Sequence, residues 1–164
     1  MSDEDTLKKA FELSGKELKK MYNLLTDVEQ AILNVLIKEK KALSVKEIRN
    51  LLIDDFYNFI VNSVPTKYVE LTPSILSSLD RKKQVEFKSL KSLNPTQRRV
   101  EAQKLLKNYG IAEIPSFQTI EKILNELVAA GLVIKRVPLL SRKTKAVYAA
   151  NPNLIDELCD NRGR

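Results

Sequence analysis

The residues best suited to hold a charged ligand cluster in the last third of the chain. Gln118, Thr119, Lys122 and Asn125 are spaced so that one side of a helix carries them all. Their chemistry is hydrogen bonding to bases and phosphates. Gln and Asn can pair bidentately with adenine, and Lys can reach guanine or a phosphate. Ser116 stands just ahead of them and can cap the helix, whose free backbone amides also suit a phosphate. Arg136, Arg142, Lys143 and Lys145 follow with no acidic residue among them. Such a basic segment suits phosphates or a minor groove. In a strand, alternation turns at most one of Lys135 and Arg136 outward.

Other chemistries find little support. The chain has no His and a single Cys, Cys159. Mixed-ligand metal sites and the usual general bases near neutral pH are therefore missing, and no internal disulfide can form. Cys159 sits beside Leu158 on an amphipathic stretch and is expected to be a packing residue. The carboxylate clusters Asp3-Glu4-Asp5 and Asp54-Asp55 have no catalytic partners in view. No Gly-rich run precedes a Lys, so the phosphate-loop pattern is absent. Tyr22, Tyr57, Tyr68, Tyr109 and Tyr148 are scattered, which argues against a stacking platform for single strands. The expectation is a protein that is not an enzyme and needs no metal or cofactor.

The elements that must position these residues are mostly helices. The 164 residues are 43% hydrophobic, enough for a core, while Gly (4) and Pro (6) are too few for an all-β fold. A net charge of +7 favours an anionic partner. The longest apolar run, Leu127 to Ile134, falls far short of the ~18 residues that a membrane span needs. Met1 to Asp5 is acidic and does not resemble a secretion signal, so a cytoplasmic protein without membrane contact is expected. Abundant Lys, Glu and Ile lean toward a thermophilic, archaeal-like source.

A first helix is expected from Asp3 to Asn23, with Leu7, Ala10, Phe11, Leu18 and Met21 on one face and a division near Gly15. Thr26-Asp27-Val28-Glu29 and Ser44-Val45-Lys46-Glu47 are capping boxes. The first opens a helix to about Glu39 with Val28, Ile32, Leu33, Val35 and Leu36 inward. The second opens a helix with Ile48, Leu51, Leu52, Phe56 and Phe59 on one stripe. Val64-Pro65 ends this pattern. Thr72-Pro73 and Asn94-Pro95 mark further helix starts, and Gly110 a helix end. This middle stretch is densely basic. A helix from Phe117 to Ala130 buries Phe117, Ile120, Ile123, Leu124, Leu127 and Val128, and Gly131 stops it. Strands over 132–137 and 146–150 flank a basic loop, and a short helix closes the chain from Leu154 to Asp160.

The stretch from Ser116 through Arg136, followed by Arg142-Lys143-Thr144-Lys145-Ala146-Val147-Tyr148, resembles the recognition helix and wing of winged helix-turn-helix proteins. Similar patterns occur in the MarR-, PadR- and ArsR-like groups. The resemblance covers about residues 26–62 and 112–150. It implies a mainly α fold with a β-hairpin wing: an N-terminal helix (1–25), a winged-helix domain (26–150) and a C-terminal helix and tail (151–164). It also implies a homodimer on double-stranded DNA, in the role of a transcription regulator. In the family, the second helix and the recognition helix lie close in sequence. Here a basic segment at about 64–110 separates them, so either it is a helical insertion or the second helix lies elsewhere. Two alternatives stand beside the regulator. One is a winged-helix protein-interaction or assembly module, favoured by Glu121 and Glu126 on the recognition helix. The other is a non-specific architectural or plasmid-maintenance DNA-binding protein that uses the basic insertion. The first and last helices, Leu7 to Met21 and Leu154 to Cys159, are the candidates for a dimer interface.

Overall fold

Local hydrogen bonds set where the helices begin. The computed structural model describes residues 3–62, 80–111, 113–137 and 146–160. The described chain is mainly helical, with one two-stranded antiparallel sheet. It divides into two units: Met1–Ile48 with Ser116–Arg164, and Arg49–Pro115. The expected Thr72-Pro73 helix start and the loop from Pro138 lie outside the described residues.

In the first unit, the leading stretch is two helices, α1 (Asp3–Glu12) and α2 (Gly15–Asn23). Ser14 leaves helical geometry and its hydroxyl accepts from the Glu17 N–H, so it caps α2. This break turns the two halves independently and dissolves the expected single stripe. Ala10 and Leu18 are buried, whereas Leu7 and Phe11 are exposed. Helix α3 (Asp27–Glu39) starts at Thr26 with both bonds of the capping box formed. Ile32, Leu33, Val35 and Leu36 are buried as expected. Val28 is not: it sits in the first turn and is 46% exposed. Lys40, in left-handed conformation at φ 55°, ends α3. Ser44 and Glu47 form the second capping box and open α4 (Val45–Asn62).

Between α3 and α4 the chain runs extended at one residue. Leu43 exchanges both backbone bonds with Tyr148, each 2.8 Å. Tyr148 lies on the strand β2 (Val147–Ala150), which pairs antiparallel with β1 (Val133–Arg136). β2 is therefore central, with β1 on one side and Leu43 on the other. The helix preceding β1 (Phe117–Ala130) is capped by Ser116 and stopped by Gly131. Gly131 has φ 89°, which disfavours any side chain, and a Cβ there would come within 2.6 Å of Leu13 Cδ1.

The last described helix (Pro152–Asp160) starts two residues earlier than expected, because Pro152 suits a first helical position. It packs on α2, and Leu18 and Leu154 are fully buried. The approach is close: a Cβ on Gly15 would meet Asn153 O and Glu157 Cβ at 2.9 Å. These two apolar faces, expected at a dimer interface, are thus in use within one chain. Cys159 is exposed rather than packed, since the buried stripe of this helix passes through Leu154.

Asn151 is fully buried and joins three segments. Its side-chain amide donates to Ala10 O and Gly131 O, both at 2.8 Å. Its side-chain oxygen accepts from Asn153 N–H at 2.9 Å, and its own N–H donates to Leu132 O.

The second unit has its own core. Ile53, Phe56, Phe59, Ile60, Phe87, Leu90, Ala102, Leu106 and Ile111 form one buried cluster. They come from α4, from α5 (Arg81–Ser89) with a 3-10 turn (Leu90–Ser92), from α6 (Pro95–Asn108) and, for Ile111, from the chain just after α6. Asn94 caps α6 with Pro95 at its first turn, as expected, and Gly110 follows with φ 65°. Helix α5 has no apolar periodicity in its sequence. Asp80 caps it, and Phe87 is its one buried residue. Arg49 Nε donates to Pro115 O at 2.9 Å and Arg49 Nη2 to Gln103 at 2.7 Å. The two ends of the unit are thereby held together, the arrangement that lets an inserted segment fold without parting the flanking chain.

Candidate nucleic-acid interface

The helix Phe117–Ala130, called α7 here, carries the predicted contact residues. Ile120, Leu124 and Leu127 are buried at 0–2% exposure and orient it. With that face inward, Gln118, Thr119, Lys122 and Asn125 are all exposed. Gln118, Lys122 and Asn125 line one shallow depression of about 520 Å³ together with Glu121, Glu126 and Ala129. At 1.5 Å rise per residue, Gln118 to Asn125 spans roughly 10 Å of helix. Two amides and one ammonium therefore face outward, flanked by two carboxylates.

Ser116 is exposed and its hydroxyl is engaged locally. It accepts from the Thr119 N–H at 3.2 Å and lies 3.0 Å from the Thr119 hydroxyl. Ser116 and Thr119 therefore act first as the cap that fixes where α7 begins. Phe117 was expected in the core, but it is 47% exposed. It is the first helical residue, ahead of the turn that packs. It lines a second cleft of about 380 Å³ with Val45, Lys46, Glu121, Ala146 and Tyr148.

On the hairpin, Arg136 is exposed at the end of β1. Lys135 is half-buried and holds its ammonium 5.9 Å from the centre of the Tyr148 ring. Only Arg136 is fully outward, as strand alternation requires. Arg142, Lys143 and Lys145 lie outside the described residues. Among the described residues there is no cluster of metal-ligating side chains, and no helix is long and apolar enough to cross a membrane.

Tyr148 was not singled out by the sequence pattern, yet it sits beneath the site. It is 1% exposed, and its hydroxyl donates toward Asn125 Oδ1 at 3.5 Å, the long limit of a hydrogen bond. Its aromatic position in the second strand was the available signal. Burial, and then the nearby Glu121 charge, push the Tyr148 phenol above its usual value. The folded state thus prefers the neutral phenol. Its contribution to stability is present below the free-phenol value near 10 and is lost as pH rises through the raised value. The melting temperature of the native protein should therefore fall more steeply above pH ~10 than that of Tyr148→Phe. Parallel melting curves for the two proteins from pH 8 to 11 would contradict this.

Comparison with protein-family models, with curated proteins and with solved structures returns no match.

Proposed function

We propose that this chain is a winged helix-turn-helix protein that binds duplex DNA and acts as a regulator rather than an enzyme. One observation carries the reading: the ladder Leu43–β2–β1. With the helices of the second unit after α4 set aside, it joins α3, the single bridging residue Leu43, α4, α7, β1 and β2 in chain order, with the hairpin following α7 directly. In such an arrangement the exposed face of α7 enters the major groove, and the hairpin contacts the flanking backbone. Gln118, Lys122 and Asn125 would read base edges, while Arg136 and the basic residues of the hairpin would hold phosphates. The segment after α4, residues 63–115, then stands between the second helix and the recognition helix, and its compact unit takes in α4 from Arg49 onward. Dimerisation on a two-fold site is part of the same proposal, and the exposed Leu7 and Phe11 of α1 offer apolar surface for it.

The test is fluorescence anisotropy with a random duplex and with DNA upstream of the gene, across a salt series. The native protein should bind with a steep salt slope and prefer the upstream fragment. Gln118→Ala and Asn125→Ala should each cost about 1–3 kcal/mol of that preference. Lys122→Ala should weaken binding further. No duplex binding at low salt would overturn the proposal.

Glu121 and Glu126 favour a second reading. Both are exposed on the α7 face and repel phosphates. A protein-interaction module would use them toward a basic partner. Glu121→Gln separates the two readings, because it should tighten DNA binding and weaken a basic protein partner.

A further inference from the structure

The inserted unit carries a dense run of cations along one of its helices. Residues Arg81 to Ser92, spanning α5 and the 3-10 turn, hold five cations and one carboxylate, Glu86. Among these cations, Arg81, Lys82, Lys88 and Lys91 are exposed. Arg81 and Lys88 are two helical turns apart, so they share one face, about 10 Å long. Phe87 and Leu90 point the other way, into the core.

Four carboxylates of this unit have partners within it. Arg99 grips both oxygens of Asp54, at 2.9 and 2.8 Å. Asp80 gives one oxygen to the Lys83 N–H at 2.8 Å in capping α5. Glu86 accepts from the Tyr109 hydroxyl, which holds that phenol above its usual value. Glu101 meets Lys104 at 3.4 Å. Asp54 and Glu101 are thus paired with cations of α6, while Asp80 and Glu86 keep their charge beside α5; the five cations of Arg81–Ser92 still outnumber these two carboxylates, and four of them face solvent.

We infer that the outer face of α5, with Arg81, Lys88 and Lys91, is a second, sequence-independent contact for the phosphate backbone of duplex DNA. A duplex presents one charge per about 1.7 Å of its axis, so a 10 Å stripe meets several phosphates at once. A lipid surface suits the stripe less well. Its apolar residues Phe87 and Leu90 are buried, leaving Val85 alone to enter a bilayer interface. The contact goes beyond the α7 reading, because it concerns affinity for any duplex and not choice of sequence.

The experiment uses the full chain with Arg81→Gln, Lys88→Gln and Lys91→Gln combined. All three residues are exposed, so circular dichroism and melting should match the native protein. On random duplex, the slope of log K against log salt should shrink by about 2 to 3, near 0.9 per lost phosphate contact. The preference for the upstream fragment should persist. A separate Gln118→Ala/Asn125→Ala variant should show the reverse pattern, with preference lost and slope kept. An unchanged slope in the triple variant overturns the inference while leaving the α7 reading intact. An unchanged preference in the α7 variant, with a reduced slope in the triple variant, overturns the α7 reading and supports the inference. Loss of binding to phosphatidylserine vesicles, with DNA binding unaltered, overturns it in favour of a membrane.

Discussion

Asn151→Ala should lower the unfolding free energy by about 2–4 kcal/mol, among the largest losses from one polar side chain in this protein. The side chain is fully buried and makes three hydrogen bonds, to Ala10 O, Gly131 O and Asn153 N–H. Alanine leaves two carbonyl oxygens in the interior without that donor, and water cannot replace it without opening the fold. The damage should reach three places at once: the end of α1, the turn after α7 and the start of the final helix. Asn151→Asp discriminates the cause. It nearly preserves shape but sets a second oxygen against the two carbonyls, so it should be at least as harmful as Ala. Urea unfolding followed by circular dichroism provides the measurement. A loss below about 0.5 kcal/mol in both variants would mean that the amide does not hold these segments together.

Phe87→Ala should cost about 3–5 kcal/mol, through lost burial and the cavity left behind. Phe87 is at 0% exposure within a cluster drawn from three helices of the inserted unit. It is also the one buried residue of α5, so without it the helix has little to hold it in place. Native-state hydrogen exchange should lose protection chiefly in α4, α5 and α6. Val85→Ala, two residues away and 58% exposed, is the control and should change stability little. Equal exchange in the Phe87 variant and the native protein would show that α5 does not depend on this side chain. The variant also bears on the charged stripe, because Arg81 and Lys88 share a face only while α5 is helical.

Much of the helical framework was legible in the chain because capping is local. Thr26 with Glu29, Ser44 with Glu47, and Asn94 with Gln97 are bonds between residues three apart. Such pairs form whatever the rest of the chain does. Ser116 and Gly131 bounded α7 for the same reason, and the Ile120/Leu124/Leu127 stripe told which side faces inward. The exposed row of Gln118, Lys122 and Asn125 is the complement of that stripe. Helix α5 escaped notice because a single buried Phe leaves no periodic pattern.

By itself, then, the sequence determined the starts of α3, α4, α6 and α7, the outward face of α7 and the excess of positive charge. These depend on neighbours within a turn or on composition alone. Tertiary structure decided what distant residues do to one another. It bridged Leu43 to Tyr148 at the edge of the sheet, and it placed Asn151 among the carbonyls of Ala10 and Gly131. It also turned Phe117 and Val28 outward, and paired Asp54 of α4 with Arg99 of α6. Each outcome joins segments that are far apart in the chain or depends on where a helix end meets its neighbours. Their partners are set by packing and loop closure, and no local spacing encodes them.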